Sequence, residues 1–549
     1  MRGRSRWTGL LGCALVLAVF VGFAVRGADS TPRPAHRVAL PRPSAPPPAP
    51  AAARRGPNIV FILTDDLSWN LINRRFAPHI VALEHRGATF THYFVADSLC
   101  CPSRATIFTG DYPHDTGVFS NGGASGGYRK FKRDGLTRRT FAVALQQRGY
   151  ATSMLGKYLN GYGGPVMTPA TAPVPRGWSD WHVSNDTGYR EFDYLLDDNG
   201  RIDRYGGPAG GCAPGGPWAD LAVAARNSDN YGVAVLGRDA TRFIGRSAGR
   251  PFAVEVAPFA PHRPYTPSPQ NACDFPGMVE PRDASFDAAN TDPPAWLGQR
   301  PPLGPGSIGA IDLHYRMRAQ SVEAIDAMLA GIEAKLRAEH LMRRTYVVFS
   351  SDNGYHMGQH RLLAGKQTAF DTDIRVPLIV AGPGIPKGRV VRQVTQNTDL
   401  YPTFVQLGGG TPSTAVDGHS LMPLLRRAHR RPRWPTLALV EHLGRARSFN
   451  DPDFESGKLS GDPTTYDAIR ISSRRLPSFP GPVEAVYVEY RDAAHEREYY
   501  DVARDPYELH NLARRLRPAQ LRVLHGLLRG LESCHDERAC WRAGRPQRP

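Results

Sequence analysis

The segment Cys100-Cys101-Pro102-Ser103-Arg104 contains the residues of the chain with the clearest chemical potential. Pro102 suits the first turn of a helix, and residues 103–108 can continue that helix. Cys100 would then lie at a helix N-terminus, where free backbone N–H groups favour an anion, and Arg104 adds a fixed positive charge nearby. The segment therefore predicts an anion-binding site beside a cysteine. A buried cysteine pair, or one half of a disulfide, is the alternative.

Three carboxylates and one carboxamide form a second group: Asp65, Asp66, Asp352 and Asn353. Each adjacent pair closely follows an apolar run. Oxygen ligands without thiolate or imidazole suit a hard divalent cation, calcium or magnesium, better than zinc. The group predicts a site for one such cation, and solvated loop acids are the alternative.

Three cationic side chains are further candidates for the same site. Lys157 and His262 each follow an apolar run, and Lys366 lies shortly after the Asp352-Asn353 pair. Cations at such positions can attract an acidic ligand. The alternative for each lysine is an ordinary surface charge, and for the histidine a hydrogen-bonded loop residue.

Five short apolar runs, each ending in polar residues, are typical of buried strands in a parallel sheet. Helical patterns lie between them. One is 140–148, and a longer one has apolar residues at three- and four-residue steps from Val322 to Leu336, which gives one apolar face. The five runs are 58–64, 151–155, 252–257, 346–350 and 377–380.

Strands that alternate with helices predict an α/β sandwich, with a large, mostly parallel sheet flanked by helices. In open α/β sheets, ligands bind beyond the carboxyl ends of the strands. We therefore expect the three aspartates, Asn353, Lys157 and His262 to meet in one crevice. After about residue 430 short alternating runs and a helical segment over 518–531 predict a smaller α+β subdomain. The predicted domains are 57–430 and 431–549.

The N-terminus predicts export. Arg2, Arg4 and Arg6 precede an apolar run over 9–25, which is typical of a signal peptide or signal anchor over 1–28. The run is close to the lower limit for a bilayer span, so cleavage and membrane anchoring both stay open. Residues 29–56 are rich in Pro and Ala and predict an extended linker. We expect the protein outside the cytoplasmic membrane, secreted or tethered.

Export also permits disulfides. Cys534 with Cys540, and Cys212 with Cys273, are the pairs that we consider, although spacing does not fix the connectivity.

Composition excludes several classes of protein. The 549 residues exceed any peptide hormone or small module, and 41% hydrophobic with 22% charged residues is close to the globular average, which excludes global disorder. The net charge is +17, but nine arginines lie in the first 57 residues. Because no Lys/Arg array interleaved with aromatic residues is present, we predict no nucleic-acid partner. The remaining positive excess is compatible with an acidic substrate.

The segment at Cys100 resembles the sulfatase signature, Cys-x-Pro-Ser-Arg followed by Thr-Gly, here Thr109-Gly110. Gly156-Lys157, Ala260-Pro261-His262, Asp352-Asn353 and Gly365-Lys366 follow in the order of that family, and the resemblance covers residues 57–515. It implies an alkaline-phosphatase-like fold and the hydrolysis of sulfate esters.

The resemblance also implies roles for individual residues. In this family the first cysteine of the signature, here Cys100, is oxidised to formylglycine by a formylglycine-generating enzyme before folding, and the hydrated aldehyde is the nucleophile. Calcium would bind the modified residue 100 and the four oxygen ligands named above. Arg104, Lys157 and Lys366 would balance the charge of the sulfate. Many arylsulfatases have a histidine two residues after the first lysine, where this chain has Leu159, so His262 is the candidate for protonating the leaving alcohol.

Three polar residues are candidate substrate contacts by the same resemblance: Asn160, His356 and His360. For both histidines a structural hydrogen-bonding role is the alternative. Segments such as 156–160 and 352–356 are most similar to N-acetylglucosamine-6-sulfatases and heparan endosulfatases, which implies a sulfated saccharide as substrate. Two other functions stay open: a phosphate or phosphonate ester hydrolase with the same fold, and a non-catalytic protein that binds sulfated sugars.

Overall fold

The structure is a computed structural model that describes residues 56–206, 229–298, 300–426, 433–444, 457–461, 463–492 and 494–546. The strands are β1 (Asn58–Thr64), β2 (Ala88–Phe90), β3 (Tyr93–Phe94), β4 (Ala151–Lys157), β5 (Asp180–Ser184), β6 (Tyr194–Asp198), β7 (Arg201–Tyr205), β8 (Phe252–Ala257), β9 (Thr345–Ser351), β10 (Leu378–Ala381), β11 (Arg389–Val391), β12 (Thr395–Gln396), β13 (Leu437–His442), β14 (Tyr466–Ser473), β15 (Val483–Tyr490) and β16 (Arg497–Asp501). The α-helices are α1 (Pro78–Arg86), α2 (Cys100–Thr109), α3 (Pro113–Thr116), α4 (Gly127–Arg133), α5 (Phe141–Gln147), α6 (Gly232–Ser247), α7 (Pro305–Ala338), α8 (Asp371–Ile374), α9 (Leu400–Leu407), α10 (Met422–Leu425), α11 (Pro518–Glu532) and α12 (Glu537–Ala543).

A ten-stranded mixed sheet positions the predicted site residues. Its strand order is β11-β2-β10-β9-β1-β8-β4-β5-β6-β7. The central strands β9, β1, β8, β4 and β5 run parallel. Their carboxyl ends therefore meet at one edge, as predicted for an α/β sandwich.

One predicted strand runs in the other direction. The run at 377–380 was expected in a parallel sheet, but β10 pairs antiparallel with β9. A parallel return would need a long crossover along the face of the sheet. Between β9 and β10 the described chain forms only the four-residue helix α8. The chain therefore turns back at the carboxyl edge, and the returning segment carries Lys366.

Both faces of the sheet are covered, which explains why its central strands are apolar throughout. Ile59, Phe61 and Leu63 of β1 pack into one core with α2, α5 and α9. Val60 and Ile62 point to the other core with α1, α6 and α7. The predicted apolar face of the long helix, Val322 to Leu336, is buried in this second core.

A smaller antiparallel sheet, β13-β14-β15-β16, follows in the C-terminal part. The predicted helical segment over 518–531 is α11. Cys534 and Cys540 form a disulfide beside it. Cys273 is also disulfide-bonded, and its predicted partner Cys212 lies outside the described residues.

The predictions for 1–28 and most of 29–56 also lie outside the described residues. Among the helices that the structure describes, none has the length and apolar character needed to span a bilayer.

His114 connects α3 to the C-terminal part. Its Nδ1 lies 3.0 Å from the carboxylate of Glu441 in β13, and its Nε2 lies 2.8 Å from the carbonyl oxygen of Cys534. Burial opposes the charged imidazolium, but the hydrogen bond to Glu441 and its negative charge raise the pKa of His114 to about 9. The protonated ring therefore bridges two parts of the fold.

Replacing His114 by Phe should destabilise the protein in a pH-dependent way. Because the folded pKa is raised, this contribution is fully present below pH 6.5 and is lost as the pH rises through 9. We expect H114F to lower the free energy of unfolding by about 2 kcal/mol at pH 6, since it leaves buried Glu441 without its charged partner, and by clearly less at pH 10. Urea denaturation at both pH values measures this.

The control is His525→Phe, which removes another histidine paired with a carboxylate, Glu489, but on the exposed face of α11. An exposed pair of this kind contributes about 0.5 kcal/mol or less. An H114F effect that is equal at pH 6 and pH 10 would contradict the assignment.

Candidate active site

Four segments bring the predicted residues together at the carboxyl edge of the sheet. Asp65 and Asp66 follow β1, and Asp352 and Asn353 follow β9, which pairs with β1. Lys157 ends β4, and helix α2 begins at Cys100. Asp66 has a left-handed backbone with φ of 61°, a conformation that aspartate tolerates better than most residues. The sharp turn allows neighbouring aspartates to point to different partners.

Cys100 lies at the centre of this cluster. Its Sγ is 3.2 Å from Oδ1 of Asp65 and 2.9 Å from Nζ of Lys366. The side chain is fully buried. Helix α2 starts at Cys100, so Cys100 is the first helical residue and Pro102 lies in the first turn, as predicted. Cys100 and Cys101 are both free thiols, which excludes the disulfide alternative for this pair.

Arg104 is held on the next turn of α2 and faces the carboxylate of Asp352. Its Nε donates to Oδ2 of Asp352 at 2.8 Å, and its Nη1 donates to the carbonyl oxygen of Lys157 at 2.8 Å. Burial alone would raise the pKa of Asp352, but Arg104, Lys157 and Lys366 lower it to about 2. Asp352 is therefore a charged acceptor near neutral pH.

The two lysines pair with the two aspartates of β1. Lys157 Nζ lies 2.5 Å from Oδ2 of Asp65, and Lys366 Nζ lies 2.7 Å from Oδ1 of Asp66. Burial and the charge of Asp352 raise the pKa of Asp65 to about 6, although Lys157 opposes that rise. Each lysine therefore forms an ion pair with one of the aspartates of the cluster around Cys100.

His262 completes the cluster on the side of Asp66. Its Nδ1 lies 2.7 Å from the carbonyl oxygen of Arg263, and its Nε2 lies 3.5 Å from Oδ2 of Asp66. The ring of Tyr189 lies 4.4 Å from the imidazole and 4.8 Å from Nζ of Lys157. The Nδ1 contact orients the ring so that Nε2 faces the cluster.

The oxygen atoms of this cluster fit a divalent cation. Oδ2 of Asp66 and Oδ1 of Asn353 are buried and accept no hydrogen bond from any residue that the structure describes. Ligand atoms of Asp65, Asp66, Cys100 and His262 lie within 4.8 Å of one another. Buried oxygens without donors are costly unless a cation or water satisfies them. The carboxylate and amide oxygens of Asp65, Asp66, Asp352 and Asn353 are the ligands that calcium prefers.

The three candidate substrate contacts have different surroundings. Asn160 donates to the hydroxyl of Tyr189 at 2.9 Å, so it lies beside the cluster. His356 is fully buried between Asp373, 2.9 Å from Nδ1, and the carbonyl oxygen of Ser460, 3.1 Å from Nε2. This geometry favours the structural alternative for His356.

His360 is stacked on Phe370 with ring centroids 3.8 Å apart. Its Nδ1 lies 2.8 Å from the side-chain oxygen of Asn290. Burial lowers the pKa of this histidine to about 3, which keeps the ring neutral. His360 lies in the wall of a different groove from the cysteine cluster.

Two residues near the cluster were not predicted. Tyr189 packs against His262 and Lys157. Arg318 of α7 is fully buried and donates to the carbonyl oxygen of Asp66 at 2.5 Å. Tyr189 lies in a short helical turn, and the sequence around it has no recognisable pattern. Arg318 is a charged residue at a position of the long helix α7 where the pattern of polar and apolar residues predicts a buried side chain. Only the second feature offered a signal in the sequence.

Comparison with known proteins agrees with the fold. The sulfatase family profile matches residues 57–410. N-acetylglucosamine-6-sulfatase of Homo sapiens is 31% identical over 498 residues, which is 88% of this chain and 86% of that protein.

Two solved structures share the fold at about one fifth sequence identity. A protein in complex with its substrate D-glucosamine-2-N,6-O-disulfate has a TM-score of 0.66 and 20% identity, covering 86% of this chain and 97% of that chain. The phosphonate monoester hydrolase of Agrobacterium radiobacter has a TM-score of 0.59 and 21% identity, covering 83% and 92%. Fold and site together define a hydrolase of the alkaline-phosphatase-like class. Within that class, the chain belongs to the sulfatase family and is a sulfuric ester hydrolase.

Calcium should stabilise chelator-treated protein if the oxygen cluster binds it. A ligand that binds only the folded state stabilises that state, so we expect the melting temperature to rise by roughly 3 °C or more at a hundred times Kd. Asp66→Asn keeps the left-handed turn but removes a negative charge, and should weaken the calcium effect at least tenfold in concentration. Differential scanning fluorimetry against calcium concentration measures both.

Asp193→Asn is the matched control, because Asp193 also has a left-handed backbone but pairs with Arg204 on the surface. It should keep the full calcium effect. A calcium response of D66N equal to that of D193N would argue against this cation site.

Proposed function

We propose that this sulfatase hydrolyses the 6-sulfate ester of glucosamine-containing saccharides, with Cys100 converted to formylglycine and one calcium ion in the oxygen cluster. The name of the human relative and the glucosamine disulfate bound by a structural neighbour support the substrate class. The observation that carries the proposal is the position of Cys100. Its Sγ lies between the carboxylate of Asp65 and the ammonium of Lys366, beside the cations a sulfate would need.

The thiol of Cys100 marks the place from which the nucleophilic oxygen of the modified residue would act. Cys100 is fully buried, so its oxidation by a formylglycine-generating enzyme would have to precede folding. Calcium, when bound by Asp65, Asp66, Asp352 and Asn353, would supply Lewis-acid polarisation of an oxygen at position 100. Asp352, charged near neutral pH, and Asp65 are the available acceptors for the proton of that oxygen.

Positive side chains would bind the sulfate during attack. Arg104 has a fixed position, because it is held by Asp352 and by the Lys157 carbonyl oxygen. Lys366 contacts Cys100 directly, and Lys157 pairs with Asp65, the carboxylate that Cys100 also contacts. Cations fixed in advance stabilise the negative charge of the transition state without reorganisation.

His262 would protonate the leaving alcohol. Its Nδ1 is fixed by the carbonyl oxygen of Arg263, so only Nε2 faces the cluster. One oxygen of the hydrated residue 100 would form a bond to sulfur while the bond between sulfur and the ester oxygen breaks, and the ester oxygen would take a proton from Nε2. The second hydroxyl of residue 100 would then lose its proton as the bond from its carbon to the sulfated oxygen breaks, which releases sulfate and re-forms the aldehyde. Water then hydrates the aldehyde, so the net reaction consumes one water molecule.

Export is part of the proposal. The basic and apolar pattern of residues 1–28 supports secretion or an N-terminal membrane anchor. An extracellular or periplasmic compartment would also suit the Cys534–Cys540 disulfide.

Cys100→Ala should abolish turnover, whereas Cys101→Ala should leave it nearly unchanged. The adjacent cysteine is equally buried but donates its backbone N–H to Asn121 and lies outside the carboxylate and lysine contacts. We expect C100A to lower kcat on N-acetylglucosamine 6-sulfate at least about a thousandfold, as for loss of other enzymatic nucleophiles. The mass of the Cys100 peptide from the native host should correspond to an aldehyde.

The same preparation separates the alternatives. 4-Nitrophenyl sulfate should be cleaved much faster than 4-nitrophenyl phosphate, and the reverse order would favour a phosphoryl hydrolase. An intact Cys100 thiol from the native host, with no turnover of either ester, would favour the binding protein.

His262→Gln should affect poor leaving groups most. A sugar alkoxide needs a proton to depart, whereas nitrophenolate does not, so we expect kcat on N-acetylglucosamine 6-sulfate to fall about 10²–10⁴-fold and kcat on 4-nitrophenyl sulfate by less than tenfold. His85→Gln, an exposed histidine at the end of α1, is the control. Equal losses on both substrates would assign the acid to another group.

A further inference from the structure

A large groove lies between the main sheet and the C-terminal sheet, and its wall is rich in arginine. The groove has a volume of about 1670 Å³, and eight arginines but four carboxylates line it. We call it the arginine groove, defined by Arg375, Arg392, Arg433, Arg474, Arg475 and Arg545. Cys100, Lys157 and His262 are not in its wall, so it is separate from the cysteine cluster.

Most of these arginines form no ion pair within the described part of the chain. Arg470 is the exception, because its guanidinium pairs with Asp371 at 2.8 Å and Glu484 at 3.2 Å. The other seven arginines form no ion pair with any residue in the described part of the chain. Arg392, Arg474 and Arg475 are exposed. An excess of positive charge in one groove attracts polyanions.

One corner of the groove also offers hydrogen-bond donors without acceptors. Trp69 Nε1, Thr372 Oγ1 and Arg375 Nε are buried atoms with no hydrogen-bond partner among the described residues. The guanidinium of Arg375 lies 5.7 Å from the ring of Trp69, so two of these residues are in contact. Such donors suit the hydroxyl, sulfate and carboxylate oxygens of a saccharide.

The groove and the cysteine cluster share one segment of chain. Tyr355 and Thr372 line the groove. Their sequence neighbours His356 and Asp373 are hydrogen-bonded to each other. Lys366, which contacts Cys100, lies between these two residues in the sequence. The same segment, residues 355–372, therefore contributes side chains both to the wall of the groove and to the cysteine cluster.

We propose that the arginine groove binds the remainder of a sulfated polysaccharide chain while one sulfate ester lies at Cys100. The choice of a sulfated saccharide rests on the function proposed above. A nucleic acid is the less suitable polyanion, because single strands are bound by stacking their bases on exposed aromatic side chains. Among the Trp and Tyr residues that line the groove within the described chain, only Tyr507 is exposed.

The test is the binding of a heparin-derived octasaccharide to full-length protein with Cys100→Ala, which prevents turnover. The groove variant is Arg392→Ala with Arg474→Ala. The matched control is Arg250→Ala with Arg343→Ala, which removes two arginines just before β8 and β9, at the opposite end of the sheet. We expect the groove variant to bind about tenfold more weakly near 0.1 M salt. The slope of log Kd against log salt concentration should fall by about two, since two cations are removed. The control should bind as tightly as the parent.

Catalysis provides a second measurement, with Cys100 intact. The groove variant should have a higher KM for a sulfated octasaccharide and unchanged kinetics on 4-nitrophenyl sulfate, which is too small to reach the groove. Equal octasaccharide binding by groove variant and control would overturn the proposal. Loss of binding to a 20-nucleotide single-stranded DNA, with octasaccharide binding unaffected, would reassign the groove to nucleic acid.

The two proposals fail separately. If no sulfate ester is hydrolysed but the groove variant still loses octasaccharide binding, the proposed reaction is wrong and the polyanion groove stands. If sulfate esters are hydrolysed and both double variants behave alike on the octasaccharide, the reaction stands and the groove proposal is wrong.

Discussion

The structure depends on the pairing of six buried charges at the carboxyl edge of its sheet. Removing a charge from water costs several kcal/mol, and only close pairing and hydrogen bonds offset that cost. The three ion pairs join residues 248, 92 and 300 positions apart in the chain. The correct arrangement of α2, β4 and the segment after β9 is therefore a condition for burying any of them. The pairs are Arg104–Asp352, Lys157–Asp65 and Lys366–Asp66.

The sheet makes this pairing possible because it fixes the positions of the strand ends that carry charged side chains. β1 lies between β8 and β9, and all three run in the same direction. The ends of β1 and β9 therefore present carboxylates side by side, and β4 adds a lysine next to β8. Helix α2 then places its first turn, with Cys100 and Arg104, above these carboxylates. Apolar strands packed on both faces keep this edge rigid, which is what a site of fixed charges requires.

Much of this arrangement could be predicted from the sequence. The bounds of β1 and β8 were predicted correctly, because both are mainly apolar runs that directly follow a proline. Strands β5 and β7 were missed, since Asp180–Ser184 and Arg201–Tyr205 carry charges and lie toward one edge of the sheet. The direction of β10 was wrong because an apolar run gives no information on strand polarity.

The site was predictable to the same extent. The chain places the ligand, cation and cysteine candidates in one cluster. Most of them follow a strand or begin a helix, which are positions that the topology determines, whereas Lys366 does neither and was indicated only by the resemblance to sulfatases. His356 could not be assigned in this way, since its partners Asp373 and Ser460 lie 17 and 104 positions further along the chain. Tyr189 was not predicted at all, because it is linked to the site only through its contacts with His262 and Lys157, which the sequence does not reveal.

The complete burial of Cys100 has a consequence for any preparation of this protein. Once the chain has folded, no large modifying enzyme can reach the thiol, so molecules that fold with cysteine at this position would keep it. A purified sample would then be a mixture of two fixed populations with the same fold. Specific activity would report the fraction converted during synthesis, and active-site titration would be needed before variants are compared.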